Sequence, residues 1–369
     1  MTAPASLYKL KLGFVALTDC AALVAAHKLG LDRELGLQFC LQRQPSWSAV
    51  RDKLMNGQLD AAHALYGLVY GMQLGMGSPQ CDMSILMTLN QNGQGISLAP
   101  ALADQYRQGV SLGAISQQLG RPLVLAHTFP TGTHAMWLYY WLAAQGIHPL
   151  RDARCVVIPP AQMDEAMQDG LLDGFCAGQP WHALAQQHGV ASLVSDSAAI
   201  WPDHPEKVVA CRRELVQQQP ELAGRLVQTL LLASHWLDQP ENHAQAAAWL
   251  AEDDYLAMPT ELILQHWTPA GATGGQLRFC DEGRVNYPYL SDGLWFLQQY
   301  RRWGMWQGEG EQSVVAAVNQ TALYEQAARC CGLPLPAPAG RHSVLMDGCH
   351  WPEHAVAAPS VGAMLQFTH

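Results

Sequence analysis

Charge is scarce in this 369-residue chain. Asp, Glu, Lys and Arg make up 14% of it against 49% for apolar residues, a balance that excludes extended disorder and predicts a mostly packed chain. Basic residues are few. Lys and Arg number 21 and the formal net charge is −10, so the clustered positive surface that phosphate contacts require is missing. Direct nucleic-acid binding is thereby excluded, and any such role would run through a partner. No run of about 18 apolar residues occurs, which argues against a membrane span. Leu12 to Leu17 is too short for a secretion signal and Asp19 interrupts it, while Leu17-Thr18-Asp19 puts a carboxylate where a lipoprotein site needs a small residue before Cys20. The ten cysteines form no CxxC motif or paired framework and fit buried thiols of a reducing compartment. A cytoplasmic location is the expectation.

Enzyme signatures are missing too. HExxH, GxGxxG after a strand, GxxxxGKS/T and GxSxG do not occur, and the 15 histidines show no metal-ligand spacing. A binding protein without metal or cofactor is expected rather than an enzyme.

What is present is an α/β rhythm. Leu10 to Leu17 reads as a strand, Thr18 or Asp19 as the cap of a helix ending at Gly30, Leu37 to Leu41 as a second strand, and Ser46 as the N-cap of a helix over Trp47 to Met55 that Gly57 stops. Strands over Leu59 to Leu65 and Met83 to Leu89 follow. Gly57-Gln58-Leu59-Asp60-Ala61 is then echoed by Gly170-Leu171-Leu172-Asp173-Gly174, 113 residues on, which suggests two lobes of similar construction. The polar helical stretch Tyr106 to Gly120 precedes a new strand at Arg121-Pro122, so lobe 1 is placed at 1–120 and lobe 2 at 121–230. Residues 231–369 are a helical return to lobe 1, with an irregular proline- and glycine-rich tail from Pro334.

Thr128 to Ile147 is the central stretch. Strand, turn and helix follow one another there, and the helix start is a natural anion seat because its backbone N–H groups are unpaired. His134 lies just inside that start, and by itself is open to two readings, an anion contact or a residue packing its own first turn. Other candidate donors are Trp47 at a helix start, Gln94 in Asn90-Gln91-Asn92-Gly93-Gln94, and Lys207 in His204-Pro205-Glu206-Lys207. Each has a duller alternative as core, loop or surface residue. Trp137, Tyr140 and Trp141 are expected to pack the helix into its own lobe.

Six segments together resemble the nitrate/bicarbonate branch of substrate-binding proteins. They are Gly13 to Asp19, Ser46-Trp47 with Arg51-Asp52, Asn92-Gly93-Gln94, Phe129-Pro130 with Gly132-Thr133-His134, Gln179-Pro180-Trp181, and Val285 to Tyr289, in order across about 10–305. The resemblance implies a periplasmic-binding-protein-like fold (type II), with two α/β lobes, two crossover segments and a ligand cleft between the lobes. It implies nitrate contacts at Trp47 and Gln94 from the first lobe and at His134 and Lys207 from the second, with Thr133, Gly95 and Gln179 behind them. Nitrate accepts hydrogen bonds only, so its site should offer donors, one positive charge and no facing carboxylate; bicarbonate, with its own O–H, would want an acceptor.

Within that branch the chain resembles the cytoplasmic NasS-type nitrate/nitrite sensors. The resemblance implies a protein partner, an RNA-binding antiterminator of the NasT type with an ANTAR domain, released when the anion binds. The alternative is the substrate-binding component of a nitrate ABC transporter lacking its signal peptide. Thiamin-pyrimidine synthases share the fold, but Cys330-Cys331 does not reproduce their cysteine-rich motif.

Overall fold

The computed structural model describes residues 7–265, 267, 277–336 and 342–352. Ten strands build two sheets: β1 (Tyr8–Val15), β2 (Leu37–Gln44), β3 (Ala61–Leu65), β4 (Met83–Thr88), β5 (Gln94–Leu98), β6 (Leu123–His127), β7 (Ala153–Val157), β8 (Gly174–Gly178), β9 (Ser192–Asp196) and β10 (Lys207–Arg212). The first sheet has the order β2-β1-β3-β10-β4 and the second β7-β6-β8-β5-β9. In each, one strand runs antiparallel to both of its neighbours. That strand is β10 in the first sheet and β5 in the second.

The two sheets are therefore copies of one plan in which the lobes exchange a strand. The glycine echo marks the same point in both: Gly57 and Gly170 each take a left-handed backbone (φ 68° and 67°) that a side chain would strain. The aspartate that follows each glycine locks the next strand to the first strand of its lobe. Asp60 Oδ2 accepts from the Lys11 N–H at 2.7 Å, and Asp173 Oδ2 from the Val124 N–H at 2.7 Å.

Strand exchange moves the lobe boundaries away from those expected. The first crossing falls in the four residues before β5, not at 120, because Gln94 to Leu98 already pairs with β8 and β9. Helix Pro100–Arg107 goes with the second lobe, where Tyr106 packs on Trp141 at 5.7 Å. The return falls just before β10, not at 230, because Lys207 to Arg212 pairs with β3 and β4. The crossings lie side by side, with Glu206 N–H donating to the Asn90 carbonyl (3.1 Å) and Asn92 N–H to that of His204 (3.3 Å).

Helix Pro220–Leu237 packs on helix Ala21–Lys28 and helix Thr321–Cys330, closing the first lobe. Helix Leu290–Arg302 does more, since Trp295 and Phe296 reach Trp137 of the second lobe at 4.8 and 6.0 Å. The irregular tail is interrupted by a two-stranded hairpin, Ser343–Val344 with His350–Trp351; the rest of that expectation, 337–341 and 353–369, lies outside the described residues. No helix among the described residues is long and apolar enough to cross a membrane.

Candidate functional site

Ligands of open α/β sheets sit beyond the carboxyl ends of the strands, and here those ends of the two lobes face each other. Trp47 follows β2 as the first residue of helix Trp47–Met55, whose Ser46 accepts from the Ala49 N–H at 3.2 Å as expected of an N-cap. His134 follows β6 as the second residue of helix Thr133–Ala144, whose start has no side-chain cap. Gln94 and Lys207 are the first residues of the exchanged strands and stand at equivalent positions, 113 residues apart like the glycine echo.

The structure brings these four together in the interior, each at most 2% exposed. His134 Nε2 donates to Gln94 Oε1 at 2.7 Å, and Lys207 Nζ lies 3.5 Å from the same oxygen and 5.7 Å from the Trp47 ring. The Gln94 amide orientation is set by its nitrogen, which faces two acceptors, Asp19 Oδ2 (3.2 Å) and the Asn92 carbonyl (3.3 Å). The indole N–H of Trp47 is buried without a partner, as are those of Trp201, Trp267, Trp295, Trp303 and Trp351; Trp47 is the one of these that lies beside Lys207. Strand exchange swaps two of the expected lobe assignments: Gln94 belongs to the second sheet and Lys207 to the first.

The donors-only expectation is corrected by two carboxylates. Asp19, expected to cap a helix, instead lies 2.8 Å from Lys207 Nζ and accepts from His63 Nε2 at 2.7 Å, while helix Ala21–Lys28 has no side-chain cap. Glu206 accepts from Lys207 Nζ (2.7 Å) and from Thr133 Oγ1 (2.8 Å) at Oε1, and from Trp137 Nε1 (2.8 Å) at Oε2. Trp137 is thus not confined to packing its own lobe. Sequence reasoning missed Asp19, His63, Trp137 and Glu206 beside the candidate set; the available signal was Glu206 next to Lys207, two opposite charges at the entry to a strand otherwise fit for burial.

Thr133 reaches the site through that bond to Glu206. Gly95 stands behind Gln94 inside β5, where a Cβ would meet Leu193 Cδ1 at 2.5 Å and displace that side chain. Gln179 acts through its backbone, its carbonyl accepting from Thr18 N–H at 2.9 Å and its N–H reaching the Gly93 carbonyl at 3.3 Å. It ties β8 to the first lobe and to a crossing segment.

The electrostatics follow from complete burial. Burial works to raise the Asp19 carboxyl, but Lys207 and His63 overcome it and hold Asp19 well below the usual carboxylate range. Burial likewise opposes charge on Lys207, yet Asp19 and Glu206 hold its ammonium above the ordinary value. Burial pushes Glu206 up against the pull of Lys207. Burial and then Lys207 push the His134 imidazole well below its usual value. No group of His, Cys, Asp and Glu suited to a metal ion occurs among the described residues.

Residues 3–251, more than half of the chain, match the model of the NMT1-like family. The chain belongs to that family. Among its relatives, the nitrate/nitrite binding protein NrtA of Synechocystis sp. is 34% identical over 345 residues, which cover 88% of this chain and 77% of the relative. The periplasmic nitrate-binding protein NrtA from Synechocystis, in its crystal structure, superposes with a TM-score of 0.87 at 31% identity over 93% of this chain and 95% of the other. The nitrate import ATP-binding protein NrtC of Synechocystis is 31% identical over 363 residues, 92% of this chain and 52% of the relative. The bicarbonate-binding protein CmpA of Synechococcus sp. is 28% identical over 361 residues, 88% and 79% of the respective chains. The two-lobed periplasmic-binding-protein-like fold of NrtA is the fold of this NMT1-like chain.

Proposed function

We propose that this chain binds a small planar oxyanion, nitrate or nitrite, between its two lobes. The observation that carries the reading is the buried meeting of Trp47, Gln94, His134 and Lys207, one donor set drawn from two helices and from one strand of each sheet. At an effective dielectric of about 20, an ammonium roughly 4 Å from a monoanion contributes on the order of 4 kcal/mol of attraction before desolvation is subtracted. The NrtA relatives bind nitrate and nitrite by name, and the relationship supports the same ligands here. Bicarbonate belongs in the test because Asp19 and Glu206 supply the acceptors that its O–H would need. Calorimetric titration with nitrate, nitrite and bicarbonate decides the matter. Nitrate heat that disappears in His134→Ala and Lys207→Ala is the expected result, and unaltered binding in both variants would sink the reading.

The binding most readily serves uptake. Two relatives are named for nitrate import or periplasmic nitrate binding, which favours a substrate-binding role in an ABC transport system over a sensor role. A second reading, a cytoplasmic sensor that sequesters a NasT-type antiterminator and releases it on anion binding, is favoured by the ten free thiols, which suit a reducing compartment. A pull-down with the antiterminator, with and without nitrate, separates the two. Nitrate-sensitive capture supports the sensor, and no capture supports transport.

A further inference from the structure

We propose that this site takes up its anion together with one proton, held between His134 and Glu206; the inference rests on the anion-binding reading. Two carboxylates, Asp19 and Glu206, and one ammonium, Lys207, share the interior, each at most 2% exposed. With neutral imidazoles that chamber already carries one net negative charge. A second anion enclosed there without compensation would be held out by like-charge repulsion that buried surroundings screen poorly. A proton supplies the compensation.

The geometry shows where it goes. His134 Nε2 is 3.7 Å from Glu206 Oε1, so the two titrate as a pair. Nε2 faces Gln94 Oε1, an acceptor only, so the neutral ring carries its hydrogen there and Nδ1 accepts from Thr128 Oγ1 at 2.5 Å. Protonation at Nδ1 requires the Thr128 hydroxyl only to turn from donor to acceptor. Glu206 has the same provision, since the Thr133 hydroxyl at Oε1 can turn likewise.

The neighbouring groups are less fit. His63 offers Nδ1, but that nitrogen is buried with no partner to receive a hydrogen. Asp19 is bound by both Lys207 and His63. His204, whose Nδ1 is also 3.7 Å from Glu206 Oε2, and His182 each have a carbonyl and a hydroxyl at their two nitrogens as His134 does, but it is the His134 ring that contacts Gln94 Oε1 and so adjoins the donor set. His127, behind the pair on β6, is pushed down to about 4 by burial. Burial and Lys207 hold the free His134 imidazole low, and the negative charge of an entering anion acts in the opposite sense and raises it.

Nitrate is the suitable probe because it does not itself titrate near neutrality. Titrating it calorimetrically at about pH 7 in two buffers of different ionisation enthalpy counts the protons exchanged. Uptake of about one proton per nitrate is expected, with affinity falling about tenfold per pH unit between the free and loaded values of the pair. Glu206→Gln removes one negative charge, so uptake should drop to near zero and the pH dependence should flatten; His134→Gln, which removes the imidazole, should also lose the uptake. Nitrate heat identical in both buffers overturns the coupling while leaving anion binding intact, and so does full uptake persisting in either variant. No heat with nitrate, nitrite or bicarbonate overturns the anion reading and the coupling with it.

Discussion

Replacing Lys207 by methionine tests the charge arrangement most directly. The side chain is completely buried and its ammonium holds both Asp19 (2.8 Å) and Glu206 (2.7 Å). Removing one partner of such a group strands the others in a medium that solvates them poorly, at a cost of about 3–5 kcal/mol. The cost should depend on pH in a particular sense. Glu206 already has a raised folded-state pKa, and without Lys207 it rises further, so its folded form binds a proton more tightly than the unfolded chain does. Stability from that group is fully present below the unfolded value of about 4.3 and is lost as pH rises through the folded value. The variant should therefore regain up to about 1.4 kcal/mol per pH unit on mild acidification through the folded value of Glu206. Asp19 gives the wild type the opposite trend: its depressed pKa stabilises above about 3.9 and that stability is lost as pH falls toward the folded value. Urea unfolding of both proteins at several pH values measures the difference. A penalty below about 1 kcal/mol, or one that stays constant from mild acid to mild alkali, would refute the assignment of Lys207 as the shared counter-ion.

Other substitutions separate binding from folding. Trp47→Phe keeps a ring but deletes the buried N–H that has no partner, so nitrate affinity should fall roughly ten- to hundredfold, the worth of about 1.5–3 kcal/mol for a hydrogen bond to a charged group, as read by calorimetry. Gly67→Ala should lower the urea midpoint by overpacking worth about 1–3 kcal/mol, because its Cβ would sit 2.2 Å from the Thr131 carbonyl oxygen and 2.7 Å from the Tyr300 hydroxyl. The same variant should weaken nitrate binding, since Thr131 belongs to the turn that carries His134. Asn286→Ala removes Nδ2 bonds to the carbonyls of Thr88 (2.9 Å) and Phe279 (2.7 Å) and should cost about 1–3 kcal/mol in urea unfolding with nitrate affinity unchanged.

The sequence made the lobes legible through local signals that survive folding. Gly57 and Gly170 announce helix stops by a backbone only glycine takes readily, and Ser46 announces the start of helix Trp47–Met55. Trp47, Gln94, His134 and Lys207 are candidates through resemblance, since nothing local marks them as neighbours. Strand exchange was hidden because pairing partners are set by tertiary register: β5 and β10 carry no periodicity that tells antiparallel from parallel placement. Asp19 was read as a cap because an Asp at a helix start usually is one. Its actual partners, His63 and Lys207, lie 44 and 188 positions away, beyond the reach of spacing arguments.

Strand exchange also accounts for where the chemistry sits. Each crossing segment ends where an exchanged strand begins, so the first residue of that strand lies beside the crossing. Gln94 and Lys207 occupy that position in the two copies, one neutral and one charged. A relative motion of the lobes must alter the distance from Lys207, on the first sheet, to Gln94 Oε1 and His134 on the second. Glu206 is then the coupling element, because it precedes Lys207 on the returning chain yet accepts from Thr133 and Trp137 of the helix that carries His134. An anion that competed for Lys207 Nζ as proposed would loosen Glu206 from its counter-ion, while the Trp137 N–H at Oε2 would stay in place. Under the proposed anion binding, the carboxylate that seemed out of place would link occupancy of the site to the contact between the lobes.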